Sequence, residues 1–170
     1  MIPNSLKLIR GLPGSGKSTY ATSQFKDYVH LEADMWHGAM GKYMFESSEV
    51  ENSHRWCVGS CEFAIRRGHN VVVSNTFITI PEIAPYFVIA DKYGCSIEVI
   101  SMKSQYARIH DVPGEVLETM KANFVSDEDI LKYLQHKPLF LFYYNPYGAY
   151  TFYKTEIRAM PGISENFNRK

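Results

Sequence analysis

Short apolar runs alternate with helix-period segments along most of this chain. Leu6-Lys7-Leu8-Ile9-Arg10 reads as a first strand that runs straight into a glycine-rich turn. A helix is expected from about Lys17 to Phe25, then a short strand, Tyr28-Val29-His30-Leu31, ending in Glu32-Ala33-Asp34. Val50, His54, Cys57, Cys61 and Ala64 recur at steps of four, three, four and three. That spacing predicts an amphipathic helix, stopped at Gly68 after the cations Arg66 and Arg67, which read as a solvated helix end. Asn70-Val71-Val72-Val73-Ser74 is an apolar run bounded by turn residues, as in a strand covered on both faces of a parallel sheet. Thr79-Ile80-Pro81-Glu82 has capping-box spacing and opens a helix to about Lys92, with Pro85 placed to delay or kink its first turn. Tyr93-Gly94 closes that helix, and Ser96-Ile97-Glu98-Val99-Ile100 is the next strand.

Strands alternating with helices imply an α/β fold around a mostly parallel sheet. The stretch from Trp36 to Ser48 has no clean period and reads as loop or substrate-facing segment. Beyond Met102 the pattern changes. A polar stretch with Lys103, Arg108 and His110 leads through Val112-Pro113 into a helix with Val116, Met120 and Phe124 at steps of four. Ser126-Asp127-Glu128-Asp129 looks like the cap of a further helix reaching about His136. Residues 139–153 are rich in Phe and Tyr around the turn-like Asn145-Pro146-Tyr147-Gly148, and read as a β-hairpin packed on the core. The tail after Met160 is expected to be poorly ordered.

Composition narrows the class without naming a function. The 170 residues, 45% hydrophobic and 21% charged, fit one ordinary soluble α/β domain. The formal net charge is zero. A protein gripping many duplex phosphates would carry a basic excess, so extensive duplex binding is not expected. Cys57, Cys61 and Cys95 give an odd count without CxxC spacing, which points to a reducing compartment. Cys57 and Cys61 lie one helical turn apart and read as small core residues rather than half of a metal site. The N-terminus shows no basic-then-apolar leader, and no apolar run approaches the roughly 18 residues of a membrane span. A soluble cytoplasmic protein without membrane contact is the expectation.

The chemistry concentrates in Gly11-Leu12-Pro13-Gly14-Ser15-Gly16-Lys17-Ser18, a full G-x-x-x-x-G-K-[ST] spacing between a strand and a helix. Glycines let successive N–H groups converge on one anion, and the following helix N-terminus adds its dipole. Lys17 is expected to reach the β- and γ-phosphates, and Ser18 to place its hydroxyl on Mg²⁺. The nucleotide-binding set is therefore Gly11, Leu12, Pro13, Gly14, Ser15, Gly16, Lys17, Ser18 and Thr19, with ATP and magnesium as cofactors.

Which reaction follows depends on a carboxylate. The strand Val71–Val73 ends in Ser74-Asn75-Thr76, without the acidic residue that a motor ATPase presents to magnesium there. A kinase needs a carboxylate beside the γ-phosphate to take the proton of an attacking hydroxyl. Glu32 and Asp34 both follow the second strand, where ligands of α/β sheets bind, and either can serve.

The run Leu8 to Thr19 with Asp34-Met35-Trp36 resembles the P-loop kinases related to polynucleotide 5′-hydroxyl kinase and zeta toxins. It is most similar to the polynucleotide-kinase-like ATPase domain of the AAA-33 type. Tyr43-x-Phe45 with His54-x-Trp56, the segment Val71 to Thr76, and the lid-like Arg108-Ile109-His110-Asp111-Val112-Pro113 agree. The resemblance covers roughly residues 5–125. It implies a three-layer P-loop kinase fold, Asp34 as general base, and Arg108 as the lid arginine that braces the transferring phosphoryl group. Two positions depart from it: His37 stands where those kinases hold a substrate phosphate with Arg, and Asn75 stands where they tend to be acidic.

The expected organisation is a kinase domain over 1–137, with a helical lid at about 103–124, and a small aromatic C-terminal extension over 138–170. The expected activity is ATP/Mg²⁺-dependent phosphoryl transfer to a hydroxyl on a polynucleotide 5′ end or nucleotide-like acceptor. A small-molecule acceptor (a sugar-nucleotide or antibiotic) is the alternative, with His37, Trp36, Tyr43 and Phe45 lining its pocket. A regulatory ATP-binding module docking through 139–153 is the reading from another class.

Overall fold

The computed structural model describes residues 4–39, 49–103 and 112–135, together with the backbone of 156–160. Its elements run β1 (Ser5–Arg10), α1 (Lys17–Gln24), β2 (Val29–Leu31), α2 (Met35–Ala39), α3 (Val50–Arg66) and β3 (Val71–Ser74). They continue with α4 (Ile80–Tyr93), β4 (Ser96–Met102), α5 (Gly114–Asn123), α6 (Asp127–Gln135) and β5 (Glu156–Met160). The strands form one parallel sheet in the order β2-β3-β1-β4-β5. β1 lies inside the sheet, paired with both β3 and β4, which is why its residues are apolar on both faces.

Side-chain alternation sorts the core into two unequal layers. Leu6, Leu8, Val71, Val73, Ile97 and Val99 point to one face, where Cys57, Cys61, Ile65, Ile83, Phe87 and Ile130 of α3, α4 and α6 cover them. Ile9, Val72 and Ile100 point to the other, covered by Ala21 of α1 with Tyr20, Phe25 and Tyr28. Each fully buried Val or Ile stabilises the fold by about 1.5–3 kcal/mol. Lys7 and Glu98 sit opposite each other in register and pair at 2.7 Å.

Most predicted elements form where their residues place them. Cys57 and Cys61 are fully buried in the large core. Gly68 and Gly94 end α3 and α4 with φ of 88° and 69°. Ser126 caps α6, its Oγ accepting the Asp129 N–H at 3.0 Å.

Three readings need correction, and two features add to the pattern. Met35–Ala39 is a short helix, not loop, because Met35, Trp36 and His37 donate their N–H groups to the carbonyls of Glu32, Ala33 and Asp34 straight after β2. Five residues are too few to show a period. Pro85 does not interrupt α4, because its missing N–H spares only the carbonyl of Pro81 in the first turn. The box at Thr79 is inverted: Glu82 accepts both the Thr79 hydroxyl at 3.0 Å and the Ile78 N–H at 3.1 Å. α5 forms but buries none of its residues, and Val116 is 43% exposed. Glu156–Met160 is a strand, paired parallel to β4 from Glu98↔Glu156 to Met102↔Met160. Residues 139–153 and the tail after 160 lie outside the described residues.

Candidate active site

The carboxyl ends of β1, β2 and β3 meet at one edge of the sheet, and register decides what they bring there. Ile9 lies beside Ser74, and Leu31 beside Val73. The residues one step further on, Arg10-Gly11 and Glu32, therefore flank the end of β3.

The loop from Gly11 to Gly16 is shaped by its glycines. Gly14 and Gly16 adopt φ of 77° and 84°, in the left-handed region where a Cβ would be strained. Gly16 is the N-cap of α1, which has no side-chain cap and no acidic residue in its first turn. The N–H groups that open an α-helix lack intrahelical acceptors, so here they stay available to an anion. Gly11 is needed for closeness: a Cβ there would lie 2.5 Å from Ser15 Oγ and 2.8 Å from the Met102 carbonyl. Ser15 Oγ is buried and has no hydrogen-bond partner among the described residues. Lys17 folds back and donates to the Leu12 carbonyl at 2.9 Å. Burial pushes its ammonium down to about 8, against the pull of Glu32 and Asp34.

Glu32 belongs to a cluster that joins β2 to β3. Ser74 donates its hydroxyl proton to Glu32 Oε1 at 2.6 Å. His30 Nε2 lies 2.6 Å from Ser74 Oγ and 3.1 Å from Glu32 Oε1. Ser18, at the start of α1, also acts on the Glu32 carboxylate. Burial works against its charge, but the hydrogen bonds from His30, Ser18 and Ser74 outweigh that and hold the carboxyl down at about 2.

Asp34 sits differently. Asn75 Oδ1 accepts the Ala33 N–H at 2.8 Å, pinning the chain between Glu32 and Asp34 to the end of β3. Asp34 is exposed beyond that pin, close enough to Lys17 to act on its charge. Trp36 follows, donating to Glu49 at 3.2 Å and packing on Trp56 at 6.3 Å between ring centroids.

Arg10 locks the floor beneath the loop. Its guanidinium is fully buried and donates to the carbonyls of Phe77 and Val125 and to Asp127 Oδ1, with the Phe124 ring 4.0 Å away. Phe77 takes a φ of 48°, a conformation that costs a non-glycine residue about 1–3 kcal/mol, and its carbonyl faces Arg10. Arg10 thus ties the entrance of the glycine loop to the segment where α5 gives way to α6.

Of the predicted site residues, the structure brings Gly11 through Thr19, Asp34 and Glu32 to one edge. Arg108, His110, Tyr43 and Phe45 lie outside the described residues. His37 is only 9% exposed, so it offers no open cation at the position where the related kinases carry Arg. The sequence reading did not single out His30, Ser74 or Arg10, and noted Asn75 only as a departure from the family pattern. The i, i+2 spacing of His30 and Glu32 on one strand face was the available signal. Among the described residues, no group of three or more His, Cys, Asp or Glu side chains is arranged to hold a metal ion, and no helix is long and apolar enough to cross a membrane.

Comparison with known proteins agrees with this geometry. Residues 6–126 match the AAA_33 family model, an AAA domain, and the chain belongs to that family. A human relative, NEDD4-binding protein 2, is 30% identical over 92 residues. Those residues span 52% of this chain and only 5% of the human protein. The Pnkp1/Rnl/Hen1 RNA repair complex contains a similar chain, with a TM-score of 0.52 at 19% identity, covering 85% of this chain and 46% of that one. A proposed kinase from Chloroflexus aurantiacus gives a TM-score of 0.54 at 12% identity, covering 94% of this chain and 86% of that one. The fold is the α/β fold of P-loop kinases.

Proposed function

We propose that this member of the AAA_33 family is an ATP- and Mg²⁺-dependent kinase that moves the γ-phosphoryl group to a hydroxyl. The acceptor we favour is a polynucleotide 5′ end or a nucleotide-like molecule. One observation carries the reading: an exposed carboxylate, Asp34, lies on the sheet edge where the glycine loop opens, near enough to the Lys17 ammonium to act on its charge. In this scheme the free N–H groups of the loop and of α1 hold the phosphates, and Lys17 leaves the Leu12 carbonyl to meet the β- and γ-oxygens. Asp34 accepts the proton of the attacking hydroxyl. Arg108 is the cation that meets charge on the transferring group, a role worth about 10³–10⁵ in rate where an arginine fills it.

The residues at the start of α1 fit magnesium. Ser18 is exposed, the Glu32 carboxylate is within its influence, and oxygen donors suit a hard cation. The metal, bound with the nucleotide, neutralises charge on the phosphates. The test is a screen of hydroxyl acceptors with labelled ATP, run beside Lys17→Ala and Asp34→Asn. Label that appears in an acceptor with the wild type and with neither variant is the expected outcome. Transfer that survives Asp34→Asn at full rate would remove Asp34 as the base.

A small-molecule acceptor is the second reading, and the burial of His37 favours it. Without an open cation there, a phosphate on the acceptor has one fewer partner. Nucleosides and sugars in the same screen separate the two.

A further inference from the structure

The strand β3 ends without an acid, yet the carboxylate that its end lacks is present one strand away. Parallel pairing puts Leu31 beside Val73, so Glu32 arrives beside Ser74, the last residue of β3. Hydrogen-bond directions around it are determined. The single Ser74 proton goes to Glu32 Oε1, so the oxygen of that hydroxyl is left to accept from His30, which must carry its proton on Nε2. One carboxylate oxygen is thereby engaged from β3, and the group still reaches Ser18.

A charge held this way next to an anion cradle needs a reason. Glu32 is only 19% exposed at its side chain, and it repels the phosphates that the loop is built to hold. Besides His30, the Lys17 ammonium feels this charge, and the same ammonium is required by the phosphates. A divalent cation between carboxylate and phosphate removes the conflict. Magnesium takes one or two carboxylates plus phosphate oxygens and water, so a site for it requires no cluster of three acidic or histidine side chains.

We propose that Glu32, fixed by Ser74 and His30, is the metal-positioning carboxylate of this protein, accepting a hydrogen bond from the Ser18 hydroxyl so that the serine oxygen is left to a magnesium ion bound with the nucleotide. This rests on the nucleotide-binding part of the function proposed above. Partners of metal ligands commonly change metal affinity by about 10- to 100-fold when lost.

The test is the magnesium dependence of nucleotide binding, measured by titration calorimetry with ADP and with a non-hydrolysable ATP analogue, no acceptor being present. Glu32→Gln is expected to bind metal-free nucleotide as tightly as the wild type or more so, because a repulsion is gone. The tightening that magnesium adds should shrink about 10-fold or more. Ser74→Ala keeps the charge and loses its anchor, so it should shift the magnesium requirement the same way by a smaller factor. It also serves if Glu32→Gln does not fold. A full magnesium gain in Glu32→Gln, or in Ser74→Ala should that be the variant that folds, would overturn the proposal and leave the cluster as a staple between β2 and β3. The kinase reading fails separately: nucleotide binding with a Glu32-dependent magnesium gain but no labelled acceptor would sink it and keep this one.

Discussion

The two sides of the site are built on different principles. On the phosphate side, Gly11 to Ser18 is shaped by backbone conformation, with a buried serine hydroxyl, a partly buried ammonium and a carboxylate bonded on several sides. On the acceptor side, Asp34 stands exposed past a single pin from Asn75 and leads into the five-residue α2. A rigid, polar cradle suits a ligand whose shape never varies. The open side suits an acceptor that brings its own geometry. The largest expected effects come from cutting each side alone. Lys17→Ala should abolish both nucleotide binding and transfer. Asp34→Asn should lower transfer by about 10²–10⁴ while nucleotide affinity, read by calorimetry, stays near wild type. Equal losses of nucleotide affinity in the two variants would mean that the sides are not separable.

Arg10 lets the phosphate side be broken from below. Arg10→Met keeps the bulk but leaves the Phe77 and Val125 carbonyls and Asp127 without their donor. Burial lowers the pKa of this guanidinium against the pull of Asp127, so its charge is maintained at some cost. Removing one partner of a buried pair commonly costs about 3–5 kcal/mol, and a urea denaturation curve should show a loss of that order. Because Arg10 also fastens the junction of α5 and α6, the surviving folded protein should lose transfer more than nucleotide binding.

How much of this was legible in the sequence differs between the same two sides. The glycine loop is read from spacing because its function is carried by the backbone, and Gly14, Gly16 and Lys17 sit where the motif requires. Val71 to Val73 announces a buried parallel strand by an unbroken apolar run, and Leu6, Leu8 and Ile9 do so around a single lysine. The Glu32 cluster could not be read in that way. It joins residues 30 and 32 to residue 74, and only the register of β2 on β3 makes them neighbours. β5 escaped for a related reason: Glu156-Ile157-Arg158-Ala159-Met160 alternates weakly, and its pairing with β4 supplies what its pattern lacks. In α5 the steps of four from Val116 locate the helix but not its exposure, since none of its residues is buried.

Asn75 is the hinge between the two sides and gives an intermediate effect. It is 7% exposed, and Asn75→Ala removes the acceptor of the Ala33 N–H. A buried donor left unpaired costs about 1–3 kcal/mol, which a thermal melt would register. The informative measurement is kinetic. If the pin aims Asp34, kcat falls while KM for ATP holds. If it mainly anchors Glu32, the magnesium requirement rises instead.

The smallest effect concerns the cation on the phosphate side. Burial lowers the pKa of Lys17 to about 8 from an ordinary 10.5. Between those values the unfolded chain binds more protons than the folded one, so stability rises with pH across that window. Below it the folded protein carries the whole penalty of a partly dehydrated ammonium. Lys17→Met, similar in length and uncharged, is therefore expected to be the more stable protein at neutral pH. Water still reaches the ammonium and screens it, which reduces the gain to on the order of 1 kcal/mol. The advantage should fade as pH climbs through 8 toward 10.5, followed by thermal melts of both proteins without nucleotide. An advantage that persists unchanged across that range is packing, not charge. One that fades shows that the cradle holds its cation at a loss.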